Sequence, residues 1–175
     1  LRVPPAAMNP WQGLGCKVLY VRRHFFGMKF TASAPCKAIL FGEHYVVHGA
    51  PALVLPIVPE NVVEFWEGEG GISLFSEIGE GRVGAEGEYS GSPALEPYAA
   101  VAREVCGKSI PSCSARFLPG WKLKGVGMSA SFCAAFAAGL FYLLGREAGK
   151  KGLFEAAQAG EEIAHGGKAS GIDAS

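Results

Sequence analysis

The sequence predicts an α+β fold, with short strands leading and mixed strands and helices following. Three observations predict it. Short apolar runs punctuated by Gly and Pro fill the stretch from Lys29 to Phe75. Helical spacing then appears from Leu95 onward, and a long uncharged segment opens after Gly127. Composition agrees: 49% hydrophobic and 18% charged residues describe a chain able to bury a core. At 175 residues it can form one domain or part of a larger protein.

In chain order, residues 1–27 differ from the rest. Pro4-Pro5, Asn9-Pro10 and Gly13-Leu14-Gly15 are coil signals, and the segment lacks the plan of a secretory signal. It is read as an N-terminal extension without assigned function, and residues 28–175 as the domain. Lys29 to Ala34, Ala38 to Phe41, Ala52 to Val58, Val62 to Trp66 and Ile72 to Phe75 are expected strands. Gly79 to Gly91 is expected to be a glycine-rich loop. Leu95, Tyr98, Ala99, Ala102 and Val105 fall at helical spacing. Ser114 to Leu118 is a further strand, stopped by Pro119-Gly120, and a last helix is expected from about Lys151 to His165.

Between these lies Gly125-Val126-Gly127-Met128-Ser129-Ala130-Ser131, followed by Phe132 to Leu144 without a charge. A glycine loop entering a helix leaves unpaired N–H groups at the positive end of the helix dipole, a ready anion site. Taken alone, such glycines more often only shape a turn. The uncharged stretch from Gly125 to Gly145 is long enough to cross a bilayer. Its Ala, Gly and Ser content and the strands before it favour a helix buried on all sides of a globular core.

Two neighbouring glutamates near the end of the chain separate by geometry. At about 100° per residue, Glu161 shares an arc with Leu153, Phe154, Ala157 and Ala164, whereas Glu162 falls beside Lys151, Glu155 and Gln158. A carboxylate on a packed face is costly unless a cation or donors satisfy it. Glu161 is therefore a metal-ligand candidate, with a partner Arg or a water-filled gap as the alternative, and Glu162 is surface. Asp173 follows a Ser170-Gly171 pair that can present it to a cleft, although such an Asp commonly serves as a turn residue. Lys37 stands just before an apolar run and could reach a cleft. His44 and His48 have no third ligand and are broken from a helix by glycines, which rules against zinc.

Sixteen basic residues balance sixteen acidic ones, so no net field draws the chain to nucleic acid or anionic lipid. Five cysteines without a CxxC pair argue against a disulfide framework and for a reducing, cytoplasmic setting.

Ala34-Pro35-Cys36-Lys37-Ala38-Ile39-Leu40-Phe41-Gly42-Glu43-His44-Tyr45-Val46-Val47-His48-Gly49 resembles the first motif of the mevalonate kinases, within the GHMP small-molecule kinase superfamily. Gly125 to Ser131 resembles that family's phosphate loop, and His165 to Asp173 its His-Gly…Ser-Gly-Ile-Asp segment. The three occur in the family's order from 33 to 175. The resemblance implies the family's N-terminal domain, a ribosomal-protein-like two-layer α/β sandwich, with the C-terminal domain missing. The stop at Ser175, directly after a turn-like segment, is read as truncation.

The resemblance further implies transfer of the ATP γ-phosphate to the 5-hydroxyl of mevalonate with Mg²⁺, in isoprenoid biosynthesis. Asp173 matches the catalytic aspartate and Lys37 the motif-one lysine. Lys124, Gly125, Val126, Gly127, Met128, Ser129, Ala130 and Ser131 match the ATP-phosphate loop. Ser129 and Glu161 match the Mg²⁺ pair, and Glu43, His44 and His165 the substrate pocket. The partners implied are mevalonate and ATP, with neither nucleic acid nor membrane, and homodimer formation as an option. Sister kinases (phosphomevalonate, mevalonate-3- or sugar kinases), and a non-catalytic nucleotide-binding relative, are the competing readings.

This chain departs from the family pattern in places. Cys36 stands where the family has Gly, Met128 and Ser131 replace a Ser and an Ala, and extra residues separate Pro119 from Gly125 and lengthen the His165 loop.

Overall fold

The computed structural model describes residues 20–23, 29–42, 51–120 and 125–167. The strands are β1 (Tyr20–Arg23), β2 (Phe30–Phe41), β3 (Leu53–Glu67), β4 (Ile72–Ser76), β5 (Gly79–Val83), β6 (Tyr89–Gly91) and β7 (Cys113–Leu118). The helices are α1 (Glu96–Cys106), α2 (Met128–Leu143) and α3 (Lys150–Ala164). One seven-stranded sheet runs in the order β1-β2-β3-β7-β4-β5-β6. Its pairs are antiparallel except β4 with β7.

Alternation divides the sheet into two faces. Phe30, Ala32 and Ala34 of β2, Val63 and Phe65 of β3, Ile72 and Leu74 of β4, and Ala115 and Phe117 of β7 are all buried in one core with the helices. On the other face Trp66 stacks on Phe75 at 5.7 Å, and Arg116 lies over Trp66. α2 lies on β2 and β3, and α3 packs across α1 and α2. This is the expected two-layer α+β sandwich.

The uncharged segment forms α2, buried from Ala130 to Cys133 and from Ala135 to Leu140. Among the described residues no helix is long and apolar enough to cross a membrane. Gly139 is needed for close approach, because any Cβ there would strike the Phe65 ring. Phe65 in turn stacks between Phe30 at 4.8 Å and Phe136 at 5.7 Å, fixing α2 to the middle of the sheet.

Three expectations are corrected. The runs 29–34 and 38–41 join into β2, and 52–58 and 62–66 join into β3. Pro35 and Pro59 look like strand breakers, but a register shift between Ala34 and Cys36 absorbs them. Pro56 is tolerated because residues 53–58 pair with β2 alone and so form an edge. Gly79 to Gly91 is a hairpin of β5 and β6 rather than a loop. Its glycines carry no apolar alternation, yet Gly91 has to be bare where it crosses the Gly81 backbone. Residues 20–23, read within the extension, pair with β2 as the edge strand β1.

Candidate active site

The loop before α2 sits against β2. The Lys37 N–H donates to the Val126 carbonyl at 3.0 Å. The Lys37 stem runs along Gly127, where an added Cβ would lie 3.2 Å from Cγ and 3.4 Å from Cε. Gly127 is left-handed at φ +65° and begins the helix, a conformation that side chains rarely adopt. Among the described residues no side chain caps the amino end of α2, and its first turn carries no acidic residue. The positive end of the helix dipole therefore stands beside the Lys37 stem.

Beneath the loop lies a residue the sequence analysis missed. Asn61 of β3 is fully buried, and its amide Nδ2 donates to Cys36 Sγ at 3.3 Å and to the Met128 carbonyl at 3.4 Å. Its Oδ1 accepts the Gly120 N–H at 2.9 Å. Its signal in the sequence was slight: one amide in a strand that also carries Glu60, Glu64 and Glu67. Ser131 is buried too, with its hydroxyl donating to the Ala34 carbonyl at 2.8 Å and its N–H to the Gly127 carbonyl at 3.0 Å. Both of its donors are thus engaged within the protein. Burial pushes the Cys36 thiol up, partly offset by its hydrogen bonds with Ser131 and Asn61. Cys36 therefore packs beneath the loop instead of crowding it.

A second group joins α2 to α3. Glu161 is 2% exposed, as the helical arc predicted, and Glu162 is exposed. Ala156, Ala157 and Gly160 share its buried face. Phe154 and Ala164, placed in the same arc, are exposed: Phe154 is at its edge, and Ala164 overhangs a cleft in the last turn. Glu161 Oε2 lies 3.4 Å from His165 Nε2, while Oε1 is buried with no hydrogen-bond partner among the described residues. The Cys133 thiol is raised by burial and by the Glu161 charge, and the Ser129 side chain hydrogen-bonds it.

A buried carboxylate oxygen with no hydrogen-bond partner among the described residues fits a hard, oxygen-seeking cation. Among the described residues no three His, Cys, Asp or Glu converge on a metal position.

Met128 and Ser129 also line a cleft of about 610 Å³. Its walls include Ile78, Pro93, Tyr98, Phe117 and Ile163, and are largely apolar. Tyr98 stacks on Phe117 at 4.1 Å, and burial pushes its hydroxyl well above the usual range, with the Cys133 and Glu161 charges adding to the rise. The sequence offered no hint of this cleft, whose walls come from five separated segments.

The structure therefore brings Lys37 together with Val126 and Gly127, and Glu161 together with His165. Lys124, Glu43, His44 and Asp173 lie outside the described residues.

Comparison with known proteins bears on the same surfaces. Residues 108–175 match the GHMP kinases N terminal domain. The chain is 35% identical over 149 residues to a mevalonate kinase of Aeropyrum pernix, covering 81% of this chain and 46% of that protein. Its fold is similar to the Methanococcus jannaschii mevalonate kinase at a TM-score of 0.65 and 17% identity, over 82% of this chain and 49% of that one. It is similar as well to Lactococcus lactis galactokinase complexed with galactose, at a TM-score of 0.68 and 18% identity over 81% and 39%. The chain spans about half the length, 46%, of the curated A. pernix protein.

Proposed function

We propose, from the premise that this chain carries the N-terminal domain of the GHMP kinases, that the protein transfers the ATP γ-phosphate to the 5-hydroxyl of mevalonate. The observation that supports this most is Lys37 lying along Gly127 at the uncapped amino end of α2. Phosphoryl transfer depends on positioning and on neutralising charge, with little covalent work for the protein. A lysine and a bare helix terminus side by side supply positive charge at one point.

In this reading the N–H groups from Gly125 to Ala130 receive the phosphates. The adjoining apolar cleft has room for the nucleoside base, since it shares Met128 and Ser129 with the loop. Ser129 and Glu161 would hold Mg²⁺, and the unpartnered Oε1 suits that task. The ion, when bound, offsets phosphate charge. His165 orients the Glu161 carboxylate through Oε2. Asp173 orients the acceptor hydroxyl, and Lys37 keeps that carboxylate ionised. Glu43 and His44 meet the acceptor.

A sugar or phosphomevalonate acceptor is the second reading, favoured by the fold similarity to a galactokinase. ADP release by the full-length gene product separates them. Release with mevalonate and none with its 5-phosphate or galactose is expected; release with galactose instead would establish the second reading. Asp173→Asn should abolish turnover while ATP binding persists, and unchanged turnover would remove Asp173 from its role.

A further inference from the structure

Asn61 and Cys36 have no role in the reading so far, and Ser131, placed in the phosphate loop by resemblance, has its hydroxyl and its N–H engaged within the protein. We propose that they form one positioning cluster, which holds residues 125–131 at the height and angle that Lys37 and a bound triphosphate require. The proposal rests on the kinase reading for its ligand, though not for its geometry.

A buried amide is costly unless its donors and acceptor are satisfied. Asn61 satisfies them on three different segments at once: β2 through Cys36, the start of α2 through the Met128 carbonyl, and the end of β7's exit through the Gly120 N–H. A single side chain thus joins the end of β7 at Gly120 to the start of α2 at Met128. Gly120 is itself pressed on β3, where a Cβ would come within 2.6 Å of the Pro59 carbonyl.

Ser131 closes the cluster from the other side. Its hydroxyl donates to the Ala34 carbonyl, and its side chain hydrogen-bonds the Cys36 thiol. Ala34 and Cys36 flank the register shift in β2, the point at which the strand passes from its pairing with Asn61 to its pairing with Ile57. Lys37 follows at once and donates to Val126. The bulge, the loop and the lysine are therefore fastened by the same three side chains.

Cys36 and Ser131 are also two of the positions at which this chain departs from the motif pattern, Cys for Gly and Ser for Ala. In the structure the added thiol meets the added hydroxyl, with the Asn61 amide on the thiol's other side. The two departures act as one change, a polar cluster in place of a bare glycine and an alanine methyl.

The test uses the full-length protein with Asn61→Leu, close in volume and without donors or acceptor. Two quantities are read: amide hydrogen exchange along the chain, and KM for ATP against KM for mevalonate. Exchange in 125–131 should accelerate about tenfold, the scale of one lost hydrogen bond, while the amides of α1 keep their rates. KM for ATP should rise by a similar factor and KM for mevalonate should stay within about twofold. Unaltered exchange in 125–131, or an equal rise in both constants, overturns the proposal. Cys36→Gly and Ser131→Ala should each weaken ATP binding, with the double variant falling short of the sum of the two, since the thiol–hydroxyl contact is shared while the Asn61 and Ala34 contacts are not. Full additivity would mean that the two sites are independent and would also overturn it. If Asn61→Leu does not fold, Ser131→Ala carries the same exchange measurement. If the unaltered protein releases no ADP, the kinase reading fails, and exchange in 125–131 alone judges the cluster.

Discussion

The β2–β3 pair has two halves with the same kind of sequence and opposite surroundings. In the inner half, Phe30, Ala32, Ala34, Val63 and Phe65 are buried under α2. In the outer half, Leu40, Phe41, Leu53, Leu55 and Val58 are exposed, Phe41 at 72% and Val58 at 71%. Both halves are apolar and strand-forming. The difference lies in what covers them: β7 pairs only with 62–67, and α2 begins level with the bulge at Cys36. The candidate site occupies the boundary, where a packed half gives the lysine a fixed base. Apolar strand sequence predicts pairing, while burial depends on a partner layer the strand itself does not encode.

The largest effect should come from the inner half. Phe65 is fully buried, stacked on Phe30 and Phe136, and presses on Gly139. Phe65→Ala should cost about 3–5 kcal/mol of unfolding free energy, measured by denaturant titration. A loss under about 1 kcal/mol would mean that the two halves are packed alike, breaking the contrast.

At the boundary the effect should fall on activity and spare stability. Lys37→Met keeps much of the stem against Gly127 and removes the charge. By the scale of lost electrostatic stabilisation, kcat should drop about 10²–10³-fold, with the melting temperature nearly unchanged. A melting temperature that falls in step with activity would assign Lys37 to the packed half instead.

Much of this boundary was legible in the sequence, for reasons particular to each residue. The loop from Gly125 to Ser131 carried its own signal, because glycines before an uncharged run mark a helix start. Helical phase alone placed Glu161 on the packed face and Glu162 outside, since one position in a helix turns the side chain by about 100°. Asn61 was illegible because its role comes from three contacts distant in sequence: Cys36, Gly120 and Met128. The β5–β6 hairpin was hidden for a different reason. Gly79, Gly81 and Gly91 pair through backbone and offer no side-chain period to read. Proline misled in β3, because the sequence does not say which part of a strand is an edge.

A smaller effect distinguishes the packed region by pH. Among the described residues the free cysteines, Cys36, Cys106, Cys113 and Cys133, are all buried, and none lies beyond the boundary in 37–42 or 51–58. Burial pushes Cys106 up to about 11, with Arg146 opposing, and Cys113 up to about 12, both from 9.0. The folded state therefore holds these protons where the unfolded chain has released them. The contribution is fully present below pH 9 and is lost as the pH climbs from there toward 12. The melting temperature should be flat across the thiols' range up to about pH 8.5 and fall beyond it, and Cys113→Ala should make that alkaline decline shallower. An unchanged decline in the variant would place Cys113 in contact with solvent.

The smallest effect is the most direct probe of the outer half. Phe41 sits opposite Leu53 across the pair and is otherwise mostly in water. Its replacement removes one cross-strand contact and no packed volume, so Phe41→Ser should change stability by no more than about 0.5 kcal/mol, the usual range for an exposed site. Denaturant midpoints for this chain and for the full-length gene product provide the comparison. A small change in the first and a loss above about 1.5 kcal/mol in the second would show that a longer gene product covers residues 37–42 and 51–58. A small change in both would mean that this apolar edge faces water throughout, and that the boundary at Lys37 is an outer rim of the site. A large loss in this chain alone would break the contrast itself, because Phe41 would then be packed in solution against part of the same molecule.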